Sequence, residues 1–265
     1  MRAQSDRESQ YASRCRVCGI EAGLTFEQPP PKSAWQSNPA KVFGLEYWVG
    51  LGRNQPRAPG AYTLCETCNE TAGSLYIPEF RAWSQVASAM IDSGPPDGAL
   101  NADPHPSWTT LELDEVRPGR FLKQVVTMLL AIAPPGFVPD NNIDLGLYAQ
   151  DPDRTELPSR YQFYLSLYRG PFARFVGYSV QLNPATGRTE ELIELAYPPF
   201  SCVLSLRGDA AIETTNISDF AHLSIDEVCI VDLDLLNGFG HTPLPADFRT
   251  LAAIQREQGQ SRRVA

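Results

Sequence analysis

The segment "RCRVCG" sets Cys15 and Cys18 three positions apart, and "LCETCNETAG" repeats that spacing at Cys65 and Cys68. Thiolates at Cys-x-x-Cys spacing reach one metal from a single tight knuckle. Two such knuckles complete a tetrahedral four-sulfur site, the arrangement of structural zinc. Gly19, directly after the first pair, permits the turn a knuckle needs. Other uses of four cysteines fit less well. Disulfides belong mainly to secreted chains, and the polar start "MRAQSDRESQYASR" has no apolar secretory core. A thioredoxin-type redox pair uses one Cys-x-x-Cys in a βαβ setting, and iron–sulfur clusters usually take other spacings. The expectation is that Cys15, Cys18, Cys65 and Cys68 hold one structural Zn2+. Four protein thiolates leave no position open to water, so the ion would supply folding energy, on the order of 10 kcal/mol. Cys202 and Cys229 lie in apolar strand patterns and read as buried small hydrophobes.

The remaining sequence divides at "IDSGPPDGALNADPHPSW", residues 91–108, which is rich in Gly, Pro, Asp and Asn and reads as a crossing between domains. The expected domains are residues 12–93, a zinc module, and 107–258. Before the crossing, "PEFRAWSQVASAM" sets Phe80, Trp83, Val86, Ala87 and Met90 on one helical face, with Pro78 in the first turn. After it, "RPGRFLKQVVTMLLAIA" predicts a helix ended by Pro134. Alternating strand patterns follow at 160–169, 174–182, 189–197 and 200–208, with a turn at 183–188. A short helix at "ISDFAHL" is expected with Ser218 as its cap, then a strand at "EVCIVDLDLL" and a last helix at "PADFRTLAAIQREQ". Meandering strands joined by tight turns favour an antiparallel sheet, so the fold class is α+β: a treble-clef zinc module followed by an antiparallel-sheet α+β domain. The longest apolar run, Val125–Ala133, is far too short to cross a bilayer, and a cytoplasmic location with no membrane partner is expected.

The order "CRVCG … LTFEQPPPKSAW … YTLCETCNETAG" resembles the HNH endonuclease superfamily. More narrowly, it is similar to HNH-like proteins of bacteria and phages that carry C-x2-C-G, then L-T-x-E-H-x-P-P-K, then L-C-x-x-C-N. The resemblance covers residues 14–93. It implies a treble-clef scaffold and a nuclease site in which an acidic residue or His holds a catalytic divalent ion, Mg2+ or Mn2+. A neighbouring His is the general base, and a residue just after the second knuckle helps hold the ion. Carried over by position, Glu27 matches the ion ligand and Asn69 the residue after the knuckle. The position of the general-base His is Gln28. A glutamine amide cannot take a proton from water near neutral pH, and general-base steps contribute roughly 10²–10⁴-fold in rate. The three histidines, His105, His222 and His241, all lie outside the resembling stretch; His105 and His241 read as loop residues, and His222 falls in the short helix expected at "ISDFAHL".

Net charge narrows the partners. Residues 1–100 carry 9 Lys+Arg against 10 Asp+Glu, a net of −1, and residues 101–265 carry 13 against 21, a net of −8. A nucleic-acid contact, to DNA or RNA, therefore belongs in the N-terminal module, where Lys32, Lys41, Arg53 and Arg57 are candidates for a phosphate-facing groove. The acidic C-terminal part points to a protein partner. Asp140, Asp144, Asp151 and Asp153 cluster in sequence but lack calcium-loop spacing. Asp232 and Asp234 fall on the exposed face of their strand, opposite Val231, Leu233 and Leu235. Two functions stand at this stage. One is a degenerate nuclease module that binds nucleic acid or protein. The other is an active metal-dependent endonuclease, which the resemblance would place in phage–host conflict.

Overall fold

A computed structural model describes residues 13–31, 41–44, 61–93, 107–168, 172–182, 187, 189–207, 212 and 214–238 of the 265. The first knuckle leads into β1 (Leu24–Glu27), which pairs antiparallel with β3 (Ala61–Cys65). Cys65 ends β3 and opens α1 (Glu66–Thr71). A π-helical turn (Ala72–Tyr76) follows and runs into α2 (Ile77–Ser93). The helix expected to begin near Pro78 is thus the continuation of the one that starts at the second knuckle. Pro78 has no N–H to offer the carbonyl of Ser74, and the widened turn falls just before it.

The rest is a mixed eight-stranded sheet with helices on one face. In spatial order the strands are β2 (Lys41–Gly44), β6 (Phe172–Leu182), β7 (Thr189–Tyr197), β8 (Phe200–Ser205), β5 (Gln162–Tyr168), β10 (Cys229–Gly238) and β4 (Ser107–Val116). The short β9 (Thr215–Asn216) pairs with β5. The meander β6–β7–β8–β5 is antiparallel, as its tight turns require, and so is β4–β10. The expectation of a wholly antiparallel sheet is corrected at two places, because β2–β6 and β5–β10 pair in parallel. Both joins are between strands distant in sequence, and no local turn signal foretells them. β4 itself, "SWTTLELDEV", was not foreseen.

The helix α3 (Pro118–Ile132) explains its own composition. It is buried nearly all round because it lies between β6, β7 and β8 on one side and α2 and α5 (Ile143–Gln150) on the other. The short α4 (Phe137–Asn141) leads into α5 from a turn where Gly136 takes φ +85. Trp83 of α2 stacks on Phe121 of α3 with centroids 4.0 Å apart, and Phe80 stands 5.5 Å from the same ring. Glu79 accepts the Trp83 indole N–H at 2.9 Å and the Arg117 N–H at 3.0 Å, so a buried carboxylate ties α2 to the start of α3. The cysteine knuckles, α2, α3 and the inner sheet face contribute to one hydrophobic core. Of the crossing expected at 91–108, residues 91–93 belong to the end of α2 and 107–108 to the start of β4, while 94–106 lie outside the described residues.

Two smaller expectations change. Ser218 lies in a 3-10 turn (Ser218–His222), and its hydroxyl accepts the Phe163 N–H instead of capping a helix. On β5 both faces are buried. Phe163, Leu165 and Leu167 join the main core, while Tyr164 packs with Leu192, Val203 and Ile212 in a separate cluster.

Candidate metal centre and its surroundings

The four sulfurs of Cys15, Cys18, Cys65 and Cys68 lie within 4.8 Å of one another. Cys18 Sγ and Cys65 Sγ are 3.7 Å apart. That is far beyond a disulfide bond of about 2.05 Å. It matches the roughly 3.8 Å edge of a tetrahedron built on Zn–S bonds of about 2.3 Å. Backbone geometry holds the sulfurs there. The Gly19 N–H donates to Cys15 O at 2.8 Å, the Cys15 N–H to Ile20 O at 2.9 Å, and Gly19 takes φ +71, where a side chain is strained. The Arg16 N–H donates to Thr63 O at 2.9 Å, which fixes the first knuckle to the strand that ends in Cys65. Three of the four cysteines are buried.

Without a cation, the donor set is electrostatically uneven. A hydrogen bond from the Cys68 thiol draws Cys15 down to about 4 and holds Cys68 well above the usual thiol range. Burial pushes Cys18 up to about 12. A divalent cation resolves this conflict, because it stabilises several thiolates at once. The arrangement fits a metal ion such as zinc.

The knuckle is clamped to the rest of the chain. The Arg16 guanidinium donates from one Nη to Ala131 O at 2.9 Å and Ala133 O at 2.7 Å, closing the C-terminal carbonyls of α3. Gly146 of α5 lies under Val17. A Cβ there would stand 2.3 Å from Val17 O and 2.7 Å from Val138 Cγ1, so only glycine permits this approach.

Glu27 and Asn69 are brought together by a residue that sequence reasoning did not single out. Asn69 Nδ2 donates to Thr25 Oγ1 at 3.0 Å, and Thr25 Oγ1 lies 3.1 Å from Glu27 Oε1 and 2.9 Å from Leu64 O. Asn69 sits inside α1, and Cys65 holds the cap position. Burial raises Glu27 to about 6, against a smaller opposing effect of the Thr25 hydrogen bond. Glu27 and Gln28 line a cavity of about 10 Å³ against α3, with Leu64, Gln124 and Thr127. That is room for about one water. The buried Gln124 Oε1 in its wall finds no hydrogen bond among the described residues. Gln124 reads in sequence as one more residue of an apolar helix, so no local signal marks it.

Of the basic candidates, Lys41 opens β2, whose backbone pairs with β6, while Lys32, Arg53 and Arg57 lie outside the described residues. His222 is exposed, and His105 and His241 lie outside the described residues. Asp144, in the first turn of α5, pairs with Arg154 at 3.4 Å, and Asp151 accepts the Asp153 N–H at 3.0 Å, as a surface turn residue does. Asp232 and Asp234 are exposed opposite buried Val231, Leu233 and Leu235. Cys202 is fully buried and Cys229 partly so. Among the described residues no helix is long and apolar enough to cross a membrane. Comparison with family models, with curated proteins and with solved structures found no match.

Proposed function

We propose that this chain is a zinc-stabilised, HNH-like protein whose treble-clef module has lost hydrolysis and serves as a nucleic-acid binding module. The observation that carries the reading is the surroundings of Glu27 and Gln28. The position that would need a general base carries an amide, and both residues line a space about one water in size against α3. A scissile phosphate needs more room than that, and an amide cannot deprotonate water. The four-cysteine cluster supports a structural role for the metal.

The choice of nucleic acid over protein as partner is supported by Phe26 and Tyr62. These rings stand side by side on the β1–β3 pair with centroids 5.3 Å apart, and both are exposed, Tyr62 by 65%. Exposed rings on a strand pair are stacking platforms for unpaired bases. The near-neutral charge of this part of the chain permits such an approach, whereas the acidic remainder repels phosphate.

The alternative, an active metal-dependent endonuclease, is favoured by one feature: Thr25 joins Glu27 to Asn69, the two positions matched to ion ligands. The test is made on the purified full chain. Bound metal is measured by elemental analysis. Cleavage of plasmid and single-stranded DNA is followed with Mg2+ or Mn2+, and DNA and RNA binding by anisotropy over a salt series. One tight zinc, no cleavage and salt-dependent binding is the expected outcome. Cleavage abolished by Glu27→Ala would instead establish the endonuclease. Zinc without any binding to nucleic acid would move the partner to protein.

A further inference from the structure

A second candidate site lies beside α4, the helix that Gly19 of the first knuckle approaches at Pro139. A cleft of about 480 Å³ opens between α4 and the β6–β7 pair. Its volume falls in the range of roughly 300–1,000 Å³ typical of small-ligand sites. Two aromatic rings, two guanidiniums and an amide line it: Phe137, Tyr178, Arg160, Arg207 and Asn142.

Each part is held in place. The β6–β7 register shifts between Val176 and Ser179, and such a bulge re-aims the side chains beside it. Tyr178 sits in that shift, 41% exposed, with its ring 6.5 Å from Phe137. Its hydroxyl donates to Glu191 Oε2 at 3.0 Å. Glu191 Oε1 accepts from Arg207 through both Nε and one Nη, so a single carboxylate orients ring and guanidinium together. On the opposite wall, Arg160 donates to Asn141 O at 3.1 Å and lies 4.6 Å over the Tyr161 ring. Each guanidinium has five N–H donors in a fixed fork, and these bonds use only part of them. Asp140 also borders the cleft, which sets a limit on how much negative charge the site accepts.

We infer that this cleft binds a mononucleotide-like ligand, with a planar ring on Tyr178 and an anionic group between Arg160 and Arg207. A ring of that kind gains from an exposed aromatic face, and a phosphate or carboxylate gains from preoriented guanidiniums. Two carboxylates in the walls favour a ligand with one anionic group over a polyphosphate. The inference does not depend on the zinc module, whose site is separate.

The test is calorimetric titration of the full chain with AMP, adenosine and ribose 5-phosphate. AMP is expected to bind at least tenfold more tightly than either fragment. Tyr178→Ala should weaken AMP and adenosine at least tenfold. Arg160→Gln should bring AMP down to the affinity of adenosine and leave adenosine unchanged. Thermal melts of both variants verify that they fold, and the unchanged adenosine affinity of Arg160→Gln serves as an internal control. Absence of AMP binding at millimolar concentration, equal affinity for AMP and adenosine, or AMP binding untouched by both substitutions would each overturn the assignment.

Discussion

Asn69 and Glu27, 42 positions apart in the chain, are joined through the single hydroxyl of Thr25. That hydroxyl accepts from Asn69, and its one proton lies between Glu27 Oε1 and Leu64 O. Thr25 therefore ties β1 to the helix that begins at the second knuckle. Thr25→Val keeps the shape and removes the hydroxyl, which leaves Asn69 Nδ2 without this acceptor. The expected cost is about 1–2 kcal/mol of unfolding free energy by urea titration. Thr25→Ser, which keeps the hydroxyl, should recover most of it.

Metal removal should be more severe. Zinc bound by four thiolates contributes on the order of 10 kcal/mol in small modules. The expected result is one zinc per chain by elemental analysis. Chelation should release Arg16 from the C-terminus of α3 and lower the melting temperature cooperatively. Cys68→Ser should lose zinc and stability together, while Cys202→Ser should keep the zinc.

Glu27 gives a pH signature. Folding raises it from an ordinary 4.5 to about 6, chiefly by burial. Between those values the folded chain holds a proton that the unfolded chain has released. Stability therefore falls as pH rises through that window, by on the order of 1–2 kcal/mol, and stays lower above it. Glu27→Gln should remove the dependence and be the more stable form at pH 7.5. Carboxyl 13C shifts checked across pH 3–8 should give a midpoint near 6. A midpoint near 4.5 would mean the carboxylate is well hydrated.

Lys123 is fully buried in α3, and its Nζ donates to the carbonyls of Tyr148, Asp151 and Arg154 at 2.7, 2.8 and 2.9 Å. It also lies 3.8 Å over the Tyr148 ring. Lys123→Met keeps the aliphatic length and strands three carbonyls, one in the last turn of α5 and two just after it. A loss of about 3 kcal/mol is expected, with zinc content unchanged. Gly146→Ala should behave differently, because its Cβ would collide with Val17 in the first knuckle. That variant should lose stability and zinc affinity together.

Phe26→Ala and Tyr62→Ala test the binding surface. Base–aromatic stacking contributes about 1–3 kcal/mol per base, so each change should weaken single-stranded DNA or RNA binding by roughly 5- to 150-fold. Both rings are exposed, so the melting temperature should move little. Unchanged affinity would show that nucleic acid, if bound, does not stack there.

The sequence by itself determined the features whose signal is local. Cys-x-x-Cys spacing and Gly19 are properties of one turn, and the four cysteines meet as the spacing implies. The periodicity of Phe121, Val125, Met128 and Ile132 marks α3, and alternation marks the meander β5–β8. Alternation also places Asp232 and Asp234 on the exposed side of β10. Tertiary structure alone decided which faces meet. Parallel joins β2–β6 and β5–β10 link distant strands without a turn to announce them. Thr25 bridges Glu27 and Asn69, Gln124 faces the Glu27 cavity, and a register shift sits beside Tyr178 in its cleft. Periodicity tells a residue whether it will be buried. What it is buried against depends on chain segments far away in sequence, and that information is created only when they pack.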